Sequence, residues 1–146
     1  MSFEKSCGAV VYYKGSKGVE YLILHHHKPS AHFSFPKGHT EKDETDEETA
    51  KREIEEETGL TDVDLDTNFK SYIEYSFKSK EKTINKIVHF FVAETNSKNV
   101  TISHEHQDFL WLPYKEAFKK LTHENSKNIL KQVKEYLDLK YNDETN

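Results

Sequence analysis

The sequence predicts an α/β fold, a mixed sheet with helices on both faces. Three observations carry this. β-Branched and aromatic runs recur at residues 8–13, 21–25, 69–77, 83–94 and 109–112. Strong helix formers without Pro or Gly fill 46–58, and Ile129, Leu130, Val133 and Leu137 make an apolar stripe at helical spacing near the end. Strands, a helix, more strands and a second helix imply two layers of helix around one sheet.

The first two strands are joined by Lys14-Gly15-Ser16-Lys17-Gly18, which reads as a hairpin turn. A loop with Pro29 and Pro36 leads to the first helix. Thr45 followed by Glu48 fits a capping box at its start, and Gly59 stands where a left-handed cap ends a helix. Lys78-Ser79-Lys80-Glu81-Lys82 connects the next two strands. The stripe at 129–137 gives a helix covering one sheet face, and residues 138–146 are expected to trail off as a polar tail.

A chain of 146 residues is the size of one domain with its own core. It is expected to be a single domain over 1–146, with a weak preference for a monomer. Charged residues make up 32% and apolar ones 34%, yet 9 Phe, 8 Tyr and one Trp suffice for a core. No long apolar run and no signal-peptide pattern is present, so no membrane partner is expected and the cytoplasm is the simplest location. Cys7, the single cysteine, excludes an intrachain disulfide and a thiolate zinc site, and reads as a small buried strand residue. The net charge of −5 argues against a stable nucleic-acid partner. A polyanionic substrate would need a local reversal of that field.

On the 46–58 helix, Glu53, Glu56 and Glu57 lie three and four apart and share an arc of roughly 100°. Ala50 and Ile54 project beside it, so the acids flank the face that packs on the sheet. Glu-rich helices are often only solvated faces. Here, however, like charges crowd together, and a hard divalent cation with oxygen ligands, Mg²⁺ or Mn²⁺, would relieve their repulsion.

Gly38, Glu44, Arg52, Glu53, Ile54, Glu56, Glu57, Gly59 and Leu60 fall in the order G-x5-E-x7-R-E-U-x-E-E-x-G-U, where U is a bulky aliphatic residue. Chance agreement at all these places is below about one in 10⁸ per starting position. The pattern resembles the box of the Nudix hydrolases. That resemblance implies an α/β/α sandwich and a Mg²⁺-dependent attack of water on a nucleotide's phosphate chain. It implies Glu53, Glu56 and Glu57 as metal ligands, with the carbonyl of Gly38 in reach of a metal through a tight turn. Arg52 would orient a neighbouring carboxylate, and one glutamate, Glu53 or Glu57, would assist deprotonation of the water.

Three further clusters bear on the substrate. His32-Phe33-Ser34-Phe35-Pro36-Lys37-Gly38-His39 contains the Pro-Lys-Gly-His stretch of diadenosine tetraphosphate hydrolases and RNA pyrophosphohydrolases. Ser103-His104-Glu105-His106-Gln107 is similar to a segment of the asymmetrical diadenosine tetraphosphate hydrolases. Tyr75 and Lys82 occupy places similar to a base-stacking tyrosine and a phosphate-binding lysine of that family. The resemblance therefore implies Glu105 as an additional metal-site carboxylate, Lys37 and Lys82 on phosphate, and Tyr75 under a base. His32 and His39 flank the phosphate-binding turn and titrate near neutrality, so either could donate to phosphate or a leaving group. Tyr75 also suits a cross-strand aromatic pair. A second stacking ring is harder to place: His123 stands where relatives tend to carry an aromatic, with Tyr114 nearby. His25-His26-His27 reads as a strand end rather than a metal site.

The expected reaction is hydrolysis of diadenosine tetraphosphate to ATP and AMP. Two alternatives stand beside it: a nucleoside triphosphate or RNA 5′-end pyrophosphohydrolase, and a non-catalytic nucleotide sensor. The small-molecule nucleotide is the only partner expected.

Overall fold

The strand expected at 8–13 is the middle of a longer one. The computed structural model describes residues 2–145 and places β1 at Ser2–Gly15, β2 at Gly18–His26, β3 at Phe33–Ser34 and β4 at Lys37–His39. Then come α1 (Asp46–Thr58), β5 (Val63–Ser79), β6 (Lys82–Thr95), β7 (His106–Leu112), α2 (Tyr114–Lys120) and α3 (Glu124–Thr145). The sheet runs β3-β2-β1-β6-β5, with β4 also on β1 and β7 also on β2. β1 and β6 are parallel from Ser2↔Ile84 to Tyr12↔Glu94, and the other pairs are antiparallel, so the sheet is mixed as expected.

Two cores follow from the period of two along the strands. Val10, Tyr12, Val88, Phe90 and Val92 pack with Ala117, Leu121, Ile129, Leu130, Val133 and Leu137 on the α2 and α3 side. Cys7, Ala9, Val11, Phe91 and Ala93 pack with Ala50, Ile54 and Leu60 on the α1 side. The sandwich of helices around a mixed sheet is thus the observed architecture. No helix among the described residues is long and apolar enough to cross a membrane.

Both hairpins are tighter than the sequence suggests. The first closes over Ser16 and Lys17, with Gly15↔Gly18 as the last pair and Gly18 at φ 115, open to glycine alone. The second closes over Lys80 and Glu81, both in the left-handed region at φ 51 and 67 without a glycine. The five-residue connection expected at 78–82 is therefore two residues, and the strands run on into it. The polar tail expected from 138 is instead the last two turns of α3. Tyr141, four residues beyond Leu137, continues the stripe and meets Tyr12 hydroxyl to hydroxyl at 2.8 Å. β3, β4 and α2 went unread in the sequence, the strands being too short for a periodic signal.

Candidate active site

Helix α1 has the bounds read from the sequence. Thr45 accepts from the Glu48 N–H while the Glu48 carboxylate accepts from the Thr45 N–H, completing the capping box, and Gly59 ends the helix at φ 74. The buried stripe of α1 is Thr49, Ala50, Glu53, Ile54, Glu57 and Thr58. Two of six places facing the sheet are thus carboxylates, where aliphatic side chains would stabilise the packing. Such a cost calls for a partner.

The last carbonyls of α1 fix what lies opposite. Thr58 and Glu57 accept from the N–H groups of Thr101 and Ser103, at 2.9 and 3.3 Å, so the loop that carries Ser103, His104 and Glu105 is bonded to the helix end. Gly38, on β4 and paired with Cys7, comes from the other side. A Cβ on Gly38 would lie 2.1 Å from the Glu53 carboxyl carbon. The tight turn expected of Gly38 is therefore corrected: it sits in an extended strand, and the glycine is required because Glu53 presses on it.

These pieces enclose a cleft of about 600 Å³ lined by His26, Lys37, Gly38, His39, Glu53, Glu56, Glu57, Lys86, Ser103, His104 and Glu105. Burial first, and then the neighbouring Glu53, push the Glu57 carboxyl well above the usual range. Arg52 spans the acids, donating to Glu53 Oε1 at 2.7 Å, to Glu56 Oε2 at 3.1 Å and to both oxygens of Glu44. The Arg52 hydrogen bond, with the Glu41 N–H, holds the Glu44 carboxyl at about 2.

Among the described residues no three acidic, histidine or cysteine side chains already form a coordination cage. Arg52 draws Glu53 and Glu56 toward itself instead. The donor set nevertheless fits a hard cation: two nearly buried adjoining carboxylates, exposed Glu56, Glu105 opposite, and oxygen ligands throughout.

A second cavity of about 480 Å³ adjoins the first through Lys37, which lines both. Its other lining residues include His32, Ile73, Tyr75, Phe90 and His123. Burial, then the charge of Lys86, lowers the pKa of Lys37. His32 stacks on His26 with ring centroids 4.0 Å apart, and His123 tilts toward His32 at 5.5 Å. Tyr75 and His123 thus share one cavity, whereas Tyr114 packs against Tyr21 elsewhere.

The fold brings Glu53, Glu56, Glu57, Gly38, Glu105, Lys37 and His39 to one cleft, with Arg52 bonded to Glu53 and Glu56 beside it, and His32 and Tyr75 to the next. It does not bring Lys82 there. Lys82 pairs with Ser79 at the hairpin tip, four residues and so ~13 Å along the strand from Lys86, the register partner of Tyr75. Lys86, missed in the sequence, lines the acidic cleft and approaches His39 Nε2 at 3.5 Å. Alternation back from Phe90 and Val88 places it on the sheet face of the second cavity, beside its register partner Tyr75, and that signal could have found it. His25 and His26 end β2, as expected of the histidine triplet, and His27 follows it, but His26 also turns into the cleft.

Comparison with known proteins adds four findings. The NUDIX domain model matches residues 4–133. The chain is 29% identical over 134 residues to the bis(5′-nucleosyl)-tetraphosphatase [asymmetrical] of Caenorhabditis elegans, covering 91% of this chain and 96% of that one. It is 30% identical over 143 residues to the Mus musculus protein of the same name, covering 91% and 95%. A crystal structure of a C. elegans Ap4A hydrolase binary complex superimposes with a TM-score of 0.83 at 28% identity, covering 92% of this chain and 98% of that chain.

Proposed function

The chain belongs to the NUDIX domain family and is a Nudix hydrolase, and from that premise we propose that it hydrolyses diadenosine tetraphosphate to ATP and AMP with Mg²⁺ as cofactor. The observation that carries this reading is the pair of adjoining cavities with Lys37 between them, one lined by carboxylates and the other by rings. A polyphosphate with a nucleoside at its end has the same two-part chemistry. The relatives named as asymmetrical tetraphosphatases support the choice of substrate.

In this reading Glu53, Glu56, Glu57, Glu105 and the Gly38 carbonyl would hold the cation, and Mn²⁺ would substitute for Mg²⁺. When bound, the cation supplies Lewis acidity, making water a stronger acid and offsetting negative charge on the phosphates. Lys37 and Lys86, together with the cation, would offset the carboxylates and admit a polyanion to a chain of net charge −5. Glu53 or Glu57 takes the proton from water as its oxygen bonds to phosphorus and the bridging P–O bond breaks. Arg52 fixes the angle from which Glu53 acts. Tyr75 and His123 would stack on the base, a contact worth about 1–3 kcal/mol, and His32 and His39 would donate to phosphate oxygens.

Product analysis tests this. Purified protein with Mg²⁺ is incubated with diadenosine tetraphosphate, deoxyguanosine triphosphate and triphosphorylated RNA, beside Glu56→Gln. ATP plus AMP from the first, lost in the variant, is the expected result. Cleavage of the other two alone overturns the substrate, and no cleavage of any overturns the enzymatic reading in favour of a sensor.

A further inference from the structure

His106 begins β7, and its side chain is wholly buried. Its Nε2 has no hydrogen-bond partner, an expensive state for a buried polar atom. The ring is nevertheless held from two sides. Nδ1 lies 3.2 Å from the Ser103 hydroxyl, and the face of the ring meets His26 at 4.4 Å between centroids. So constrained, Nε2 points at Glu57 Oε1, 3.8 Å away. The same oxygen is 3.4 Å from the N–H of Lys37.

We propose that His106 is a positioning residue for Glu57: its neutral imidazole accepts from the Ser103 hydroxyl at Nδ1 and turns the Nε2 proton toward Glu57 Oε1. With Lys37 N–H on the same oxygen, the protein anchors one side of the carboxylate and leaves the other for a cation. The 3.8 Å separation is slightly longer than a hydrogen bond, and a small rotation of either side chain completes the contact. A donor behind a ligating oxygen fixes its orientation and tunes its affinity, and losing such a partner commonly weakens metal binding 10–100-fold. The Ser-His-Glu-His segment then has two separable tasks. Glu105 faces the cleft, and His106, one residue on, faces inward and holds the glutamate opposite.

This rests on the metal-site assignment above but not on the substrate. The test is Mn²⁺ binding to the intact protein, followed by electron paramagnetic resonance, for wild type, His106→Leu, His106→Gln and His106→Asn, with thermal melts beside it. Gln extends an N–H to the place of Nε2; Asn reaches only the place of Nδ1. The expected result is a loss of Mn²⁺ affinity of about tenfold or more in Leu and Asn, with most of it restored in Gln. With diadenosine tetraphosphate, kcat should fall in the same order while KM stays near wild type. Wild-type Mn²⁺ affinity in Leu, or Gln as deficient as Asn while both melt with wild type, overturns the proposal. Should Leu not fold, the contrast between Gln and Asn decides. Failure to cleave the dinucleotide would overturn the substrate and leave this Mn²⁺ contrast intact.

Discussion

Arg52 meets Glu44 side-on, Nε donating to Oε2 at 2.7 Å and Nη2 to Oε1 at 3.1 Å, across eight residues of sequence. Nη2 also donates to the His39 carbonyl at 2.9 Å, which ties α1 to the strand bearing Gly38. With its fork engaged in this way, the guanidinium has one direction in which to offer Nη1, and Glu53 and Glu56 lie there.

Arg52→Lys should therefore fail to substitute, because an ammonium cannot make the planar two-point contact. A displacement of Glu53 by about 1 Å predicts a fall in kcat on the order of a hundredfold. Steady-state kinetics with a thermal melt checks this, and near-normal turnover in the lysine variant would contradict it.

Two glycines predict opposite kinds of damage. At Gly38 an added methyl meets the end of the Glu53 side chain, which can swing away, so Gly38→Ala should fold and lose activity. At Gly8 the methyl meets the Pro36 carbonyl oxygen at 2.1 Å, which is backbone and cannot swing. Gly8→Ala should cost roughly 1–3 kcal/mol of stability through overpacking. Urea unfolding of both, with an activity assay on Gly38→Ala, separates the cases. Equal loss of stability in the two variants would overturn the distinction.

The stacked pair His26 and His32 predicts sensitivity to acid. Burial, and then the charge of His32, lowers His26 from 6.5 to about 3, while burial, and then the charge of Lys37, lowers His32 from 6.5 to about 4. Their folded-state values lie below the ordinary one, so the stability they contribute is present above pH 6.5 and is lost as pH falls toward those values. The melting temperature should drop between pH 7 and 4, and His26→Phe, which keeps a ring on the stack, should drop less. Parallel pH curves for the two proteins would refute this.

Lys86 and Lys82 provide the test of hairpin register. Lys86→Ala should raise KM by about tenfold or more, the scale of one hydrogen bond to a charged group. Lys82→Ala, at the tip, should change KM by less than about twofold if only long-range screened charge is lost. A larger effect at Lys82 would mean that substrate reaches the hairpin end.

Much of the site was legible because it is local. Thr45, Glu48 and Gly59 mark both ends of α1, and once the helix is placed, the side on which Glu53, Glu56 and Glu57 emerge follows from its pitch. What escaped depends on register and tertiary contact. The Lys80-Glu81 turn has left-handed backbone without Gly or Asn, so nothing marked where the hairpin reverses, and nothing in the spacing told that Lys86, rather than Lys82, lines the cleft. The stack of His26 on His32 joins residues across a loop containing Pro29, and His106 reaches His26 from β7. No spacing rule connects these three. The end of α3 was readable, since Tyr141 continues the series Ile129, Val133 and Leu137, but its polar neighbours masked it.

The parallel pairing of β1 with β6 also bears on how the chain is made. Ser2 and its partner Ile84 are remote in sequence, and at about 5–20 residues per second the ribosome releases the first roughly 4 to 16 seconds before the second. Through that interval β1 has β2 and β4 beside it, while the flank awaiting β6, with Val10 and Val11 upon it, stays open. The nascent chain thus carries an adhesive edge for seconds, and that flank of β1 is covered only when β6 emerges.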